Sequence, residues 1–266
     1  GVGGGDIQVL SDMVQGTVEV SGTLDASAPQ SGDGGFIDTS AAHVQIREGA
    51  RISTLAANGS NGNWLIDPTD FYVSATDPAN GSSWMDNATL STNLGLGNVT
   101  IQTLSTGAGN GDIFVNDTVS WSTSSTLTLN AHRDVNINPF ISNTGAGGLR
   151  IRADLNGTGT GTINFAGIGS VSLTAGAADL YYNPTVFGTP NNYTAKVTGT
   201  LREWMLVNNA ANLQAINTNL SGNYALGRNV DASSIPSFVP LGNTTTNFTG
   251  QFDGLGHTVS NLSIPT

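Results

Sequence analysis

Apolar and polar residues alternate along most of this chain. In Leu149-Arg150-Ile151-Arg152 and in Val135-Asn136-Ile137-Asn138 every second side chain is aliphatic, the period of a strand with one buried and one outward face. That phase places Ile151 inward and Arg150 outward. Between such segments lie "STGAGNGD", "SNTGAGG" and "NGTGTG", which supply the positive-φ and side-chain-capped turns that short strands need.

The pattern repeats. "GTLDASAPQSGDGGFIDTS" (22–40) set over "ARISTLAANGSNGNWLIDP" (50–68) aligns Leu24 with Ile52, Gly34 with Gly62, Phe36 with Trp64 and Ile37 with Leu65, an offset of 28. "NVTIQT" (98), "TLTLNA" (126), "LRIRAD" (149) and "VSLTAG" (171) follow at spacings of 28, 23 and 22. A second series, "GDIFVND" (111), "RDVNINP" (133) and "GTINFAG" (161), interleaves at 22 and 28. Two strands per period are visible. A period of roughly 20 to 30 residues with short strands and no intervening helix fits the coil of a parallel β-solenoid better than a hairpin meander, because each coil completes its core only by stacking on the next. At ~25 residues per coil and ~4.8 Å between coils, residues 7–200 make about eight coils and a rod roughly 35 to 40 Å long. The expected fold is therefore all-β, a parallel β-helix.

One segment departs from this period. In "NNAANLQAINTNLSG" Leu213, Ile216 and Leu220 share a helical face, Asn209 can cap it and Gly222 can end it. One short helix is expected there, at the border between solenoid coils in 1–202 and a second β module in 203–266. Residues 178–202 read as a loop-rich approach to that border.

Composition sharpens the picture. The chain has 266 residues, 38% of them hydrophobic and only 10% charged, and its polar surface rests on Ser, Thr, Gly and 28 Asn with one lysine, Lys196. Stacked amides can hydrogen-bond from coil to coil, and Asn also suits tight turns. A net charge of −11 without a basic cluster argues against nucleic acid as a partner. There is no cysteine, so no disulfide framework or thiolate metal site forms, as is compatible with export. No stretch reaches the ~20 apolar residues of a membrane-spanning helix. The start, "GVGGGDIQVL", lacks the basic and apolar regions of a signal peptide, so the chain reads as an interior piece or a processed form.

Candidate chemistry is sparse. In "GQFDGLGHTVSNLSI" (250–264) Asp253 and His257 would make a carboxylate–imidazole pair, but no nucleophile is tied to them. The turn reading has Asp253 capping, Gly254 and Gly256 supplying positive φ, and His257 opening a strand. Asp67, Asp70 and Asp77 could offer oxygens to Ca²⁺, without the Gly and bidentate Glu of a loop site. Arg150 and Arg152, with Arg47 and Arg133 on other strands, could meet an acidic sugar or simply solvate the rod. Trp64, Phe71, Tyr72, Trp84 and Trp121 could form a sugar-stacking platform, although core positions are commoner for large rings. Eleven Asn-x-Ser/Thr sequons, among them Asn58, Asn87, Asn98 and Asn247, follow largely from composition. No catalytic, cofactor-binding or metal-binding residue is assigned, and no cofactor is expected.

"GTLDASAPQSGDGGFIDTSAAHVQIREGARIST", "NWLIDPTDFYVS" and "GNVTIQTLSTGAGNGDIFVNDTVSWSTSSTLTLNAHRDVNIN" resemble the interior of filamentous-haemagglutinin-like exoproteins of two-partner secretion. "LSGNYALGRNVDASSIPSFVPLGNTTTNFTGQFDGLGHTVSNLSI" resembles the GLUG-type module that follows in such proteins. The resemblance implies a right-handed parallel β-helix, export of the parent protein by an outer-membrane transporter, a secreted or cell-surface location, and adhesion or biofilm cohesion. The NPNL- and NPNG-type motifs of the family's secretion domain are missing; only "NPF" (138–140) and "NPT" (183–185) occur.

Three classes of function remain. An adhesin or matrix fibre, meeting a carbohydrate or a host or neighbour-cell surface ligand, stands first. A passive stalk presenting a distal domain stands second. A carbohydrate-active β-helix enzyme stands last, because one Lys and scattered Asp do not surround a groove.

Overall fold

A computed structural model describes residues 3–78, 81–105 and 109–265. The turn expected at "STGAGNGD" lies partly outside them. The chain is mostly strand, and every pairing between its strands is parallel among the described residues. Three series of strands succeed one another in chain order. The first forms a ten-strand path through Asp6–Leu10, Phe36–Ser40, Asn63–Asp67, Asn98–Gln102, Leu127–Asn130, Leu149–Arg152, Ser170–Tyr182, Val197–Val207, Asn223–Leu226 and Gln251–Asp253. The second is a seven-stranded sheet in the order Ile163–Phe165, Val135–Ile137, Ile113–Val115, Phe71–Val73, Trp84–Met85, His43–Ile46 and Thr17–Val20. The third is made of short pieces: Thr23–Asp25 pairs with Arg51–Ser53, and Val119–Trp121 with Phe140–Asn143, which in turn pairs with the start of the long strand at Ser170. The expected two strands per period are therefore three. A strand of three residues shows too few alternations to announce itself in sequence. Long parallel stacks of this kind are compatible with a β-solenoid.

Along the first series the spacing varies from 19 residues (Met205 to Tyr224) to 35 (Asn63 to Asn98). The series Ile113, Val135, Ile163 holds its expected register. The first alignment holds for Leu24 with Ile52, but Ile37 pairs with Trp64, not Leu65. The connecting turn is one residue shorter in the second copy, and a one-residue slip exchanges the two faces of a strand. Ile37 and Trp64 are accordingly buried and Leu65 is not. "VSLTAG" is also displaced: Val171 stacks on Ile141, while Leu149 is matched by Ala178.

Inward residues form one continuous core from Val18 to Phe238. Ile151 is fully buried and Arg150 faces out, as the alternation predicts. Burying each such aliphatic side chain is worth about 2 kcal/mol. Asparagines serve both expected purposes. Nδ2 of Asn164 donates to Asn136 Oδ1 (3.0 Å), and Asn138 and Asn208 donate to Asn116 and Asn183 in the same way, both at 2.7 Å. Asn143, Asn219 and Asn243 instead accept from backbone N–H groups in their own turns.

Two α-helices, rather than one, occur among the described residues. The helix α1, Asn87–Asn93, is capped by Asp86, whose carboxylate accepts from Ala88 N and Thr89 N. It lies between Arg51–Ser53 and Val119–Trp121 in the third series. There Asn93 completes the strand edge, accepting from Ile52 N (2.7 Å) and donating to Ala50 O (2.9 Å). The helix α2, Ala210–Ala215, begins at the expected cap Asn209. It passes into a 3-10 turn at Ile216–Thr218 instead of running to Gly222. Residues 202 and 203 lie within the strand Val197–Val207, and Asn223–Leu226 and Gln251–Asp253 continue the same sheet. No helix among the described residues is long and apolar enough to cross a membrane.

Candidate functional site

The level between Asn63 and Asn98 breaks the repeat and gives the second sheet a distinct outer surface. After Phe71–Val73 the chain returns as Trp84–Met85, which inserts between Phe71–Val73 and His43–Ile46, out of sequence order. The outward column of the second sheet then reads Glu19, Gln45, Trp84, Tyr72, Phe114, Asn136, Asn164. Three consecutive rings stand on a face where the other positions carry polar groups. All three are half-buried.

Tyr72 and Phe114 stack at 4.7 Å between centroids with 10° between planes. The Trp84 indole is held elsewhere: its Nε1 donates to both the carbonyl and the hydroxyl oxygen of Ser74, each at 3.0 Å. Beside Tyr72 lies a recess of about 360 Å³ whose walls include His43, Thr69, Asp70, Ser82 and Ser83. The Asp70 carboxylate is oriented by Asn110 N (3.1 Å) and Asp112 N (2.8 Å). Gly109 borders it, and a Cβ there would come within 2.6 Å of Asp70 Oδ2 and of the Thr69 methyl group. Burial, then the neighbouring Asp70 and Asp112, raise the Tyr72 phenol above its ordinary pKa, so it stays a neutral donor at physiological pH.

Of the rings singled out in the sequence, the structure brings only Tyr72 and Trp84 together on an outer face. Trp64, Phe71 and Trp121 are core residues, and the indole N–H groups of Trp64 and Trp121 are satisfied by Thr39 Oγ1 and Ser125 O. Phe114 completes the strip. In "GDIFVND" it stands between Ile113 and Val115, three apolar residues in a row, so only the three-dimensional stack shows it facing outward behind Tyr72.

The four arginines singled out in the sequence each have a partner, and Arg47 and Arg133 also remain well exposed to solvent. Arg133 chelates Asp112 through Nε and Nη2 and approaches Asp134 at 3.3 Å, and Arg47 pairs with Glu19 at 2.8 Å. Arg150 sits 4.5 Å above the Tyr181 ring. Arg152 is buried, donating to the carbonyls of Leu155 (2.8 Å) and Gly227 (2.6 Å), one in the segment that follows its own strand and one 75 residues further along. Burial and then Arg150 lower its pKa. Beside it Asp154 is enclosed, accepting from Thr158, Gly159, Asn183 and Asn208.

The aspartates at 67, 70 and 77 do not converge. Asp67 is buried at the end of its strand, Asp70 lies at the recess, and Asp77 is exposed. No group of three or more His, Asp or Glu side chains is arranged to hold a metal among the described residues. Asp253 accepts from Leu255 N at 2.9 Å, and His257 N closes the turn on Gly254 O at 2.8 Å. The positive φ angles fall on Leu255 and Gly256 (46° and 80°), not on Gly254. No hydrogen bond joins Asp253 to His257 among the described residues. Leu255 packs over Tyr181 and Trp204, forming a small apolar cluster outside the sheet.

Compared with protein-family models, curated proteins and solved structures, the chain matches none of them.

Proposed function

We propose that this chain is a segment of a secreted or cell-surface adhesin or biofilm-matrix fibre, binding or structural rather than catalytic. The observation that carries the reading is the outward column Gln45, Trp84, Tyr72, Phe114, Asn136, Asn164: a ligand-sized strip of rings and amides on a long parallel stack. Rings and amides hold a polymer by contact and offer no proton-transfer pair. On this reading the stack is a right-handed parallel β-helix, residues 203–266 are a GLUG-type module that prolongs it, and the parent protein is exported by an outer-membrane partner. The resemblance to filamentous-haemagglutinin-like exoproteins supports each of these points.

The test is a surface coated with the purified chain, over which bacterial cells, epithelial cells and polysaccharide-coated beads are passed under flow. Retention above an albumin coat, without release of reducing sugar from the beads, is expected. Steady release of reducing ends would make the chain an enzyme.

A further inference from the structure

We propose that the recess beside Tyr72 is a binding site for one sugar ring of a neutral glycan. This rests on the reading of the chain as a surface-binding segment and specifies its ligand.

A half-exposed ring on an outward face is costly in water unless something covers it. Phe114 covers one face of Tyr72. The next ring in the column, Trp84, turns its indole N–H to Ser74, and no ring stack joins it to Tyr72 among the described residues. What borders Tyr72 instead is the recess, walled by the Asp70 carboxylate, His43 and the serines. An aromatic ring beside a fixed carboxylate and hydroxyls matches a pyranose: its axial C–H groups lie on the ring, and its equatorial hydroxyls donate to the carboxylate. The volume, about 360 Å³, is at the lower end of ligand pockets, suited to one residue of a chain that continues along the rod.

Charge selects among sugars. Arg133, a cation on which Asp70 acts electrostatically, is chelated by Asp112 and approached by Asp134, and the whole chain carries −11. A sulfated, sialylated or uronic chain would meet Asp70 with no free guanidinium to receive it, so the ligand is uncharged. The site is also built in advance. Tyr72 is held by its stack on Phe114, Asp70 by two backbone N–H groups, and Gly109 adds no side chain beside the carboxylate. Little side-chain entropy is then lost on binding.

The experiment measures retention of the chain on immobilised mannan, dextran and galactan, with heparin and polygalacturonate as the anionic arm. It compares wild type with Tyr72→Ala, Tyr72→Phe and Asp70→Asn, and thermal unfolding of each variant reports on folding. Expected is wild-type binding to at least one neutral polysaccharide and to neither anionic one. Affinity should fall about tenfold or more in Tyr72→Ala and stay within about twofold in Tyr72→Phe, because the ring supplies the contact. Asp70→Asn should weaken binding without shifting unfolding much. Equal binding by wild type and Tyr72→Ala, preference for heparin, or binding to no neutral polysaccharide overturns the proposal. If such a chain still captures cells under flow, the adhesin reading survives the loss of this site; if it captures nothing, both fall.

Discussion

Two outward aromatic groups on this molecule have opposite fates. On the second sheet Trp84, Tyr72 and Phe114 remain half-buried beside a recess. On the first sheet Tyr181 and Trp204, also at outward positions on successive levels, stack at 5.8 Å and are only 3% and 8% exposed. Arg150 lies over one of them, and Leu255 packs against the cluster they form with Leu206 and Ala225. The rings are alike and the strand phase is alike; the covering segment decides. Where later turns supply a loop, outward aromatics become a second small core. Where the insertion around Trp84–Met85 leaves a recess, they remain available to a ligand.

The largest expected effect separates the two groups by stability. Trp204→Ala removes a packed ring and also the N–H that donates to Asp179 at 3.3 Å, and should cost about 3 to 5 kcal/mol. Tyr72→Ala, at a half-exposed position, should cost about 1 kcal/mol or less. Denaturant unfolding of the two variants checks this; similar losses would remove the distinction.

The outer face of the first sheet gives a second, pH-dependent test. Buried Asp67 is pushed up to about 6, chiefly by desolvation, against the hydrogen bond from Gln102 and with a smaller push from Asp38. Its folded value lies above the ordinary 3.8, so the folded state holds the proton more tightly. That contribution to stability is full below about pH 4 and is lost as the pH rises through about 6. Asp67→Asn should therefore flatten the fall in stability between pH 4 and 7 and raise stability at pH 7.5 by about 2 kcal/mol. An unchanged pH profile in the variant would show that Asp67 is hydrated.

Smaller effects belong to the covering loop. Gly256 has φ of 80° and open space where a Cβ would be, so Gly256→Val acts through backbone strain alone, about 1 to 3 kcal/mol. It should also loosen Leu255 from Tyr181 and Trp204. His257→Ala should change stability by less than about 0.5 kcal/mol. Burial, then Arg152, lower the His257 pKa, so the loop carries a neutral imidazole at physiological pH and loosens only as acid charges it. Thermal unfolding ranks the two variants, and a larger loss for the histidine would give it a role the turn geometry does not.

Much of the fold was legible because parallel stacks repeat their alternation. The inward phase of Ile151, the register of Ile113, Val135 and Ile163, and the cap at Asn209 all follow from local pattern. The slip between Ile37 and Trp64 was not legible, since a turn shortened by one residue leaves both strands looking correctly phased. Helix α1 was hidden by its composition. Asn, Thr and Ser are weak helix formers, and its evidence was only the Asp86 cap with Leu90 and Leu94 four apart. The two aromatic groups were least legible of all. Arg152 is buried by a carbonyl 75 residues away, and Tyr72 meets Phe114 only because the chain stacks them. No local pattern distinguishes a ring that a distant loop will cover from one that stays open.

The most direct test is hydroxyl-radical footprinting of the folded chain, read ring by ring by mass spectrometry. Tyr72 and Trp84 should be oxidised well ahead of Tyr181 and Trp204, and mannan, dextran or galactan, whichever is retained, should protect Tyr72 while leaving Tyr181 unchanged. Equal oxidation of Tyr72 and Tyr181 in the free protein would contradict the account, because the two groups would then not differ in cover.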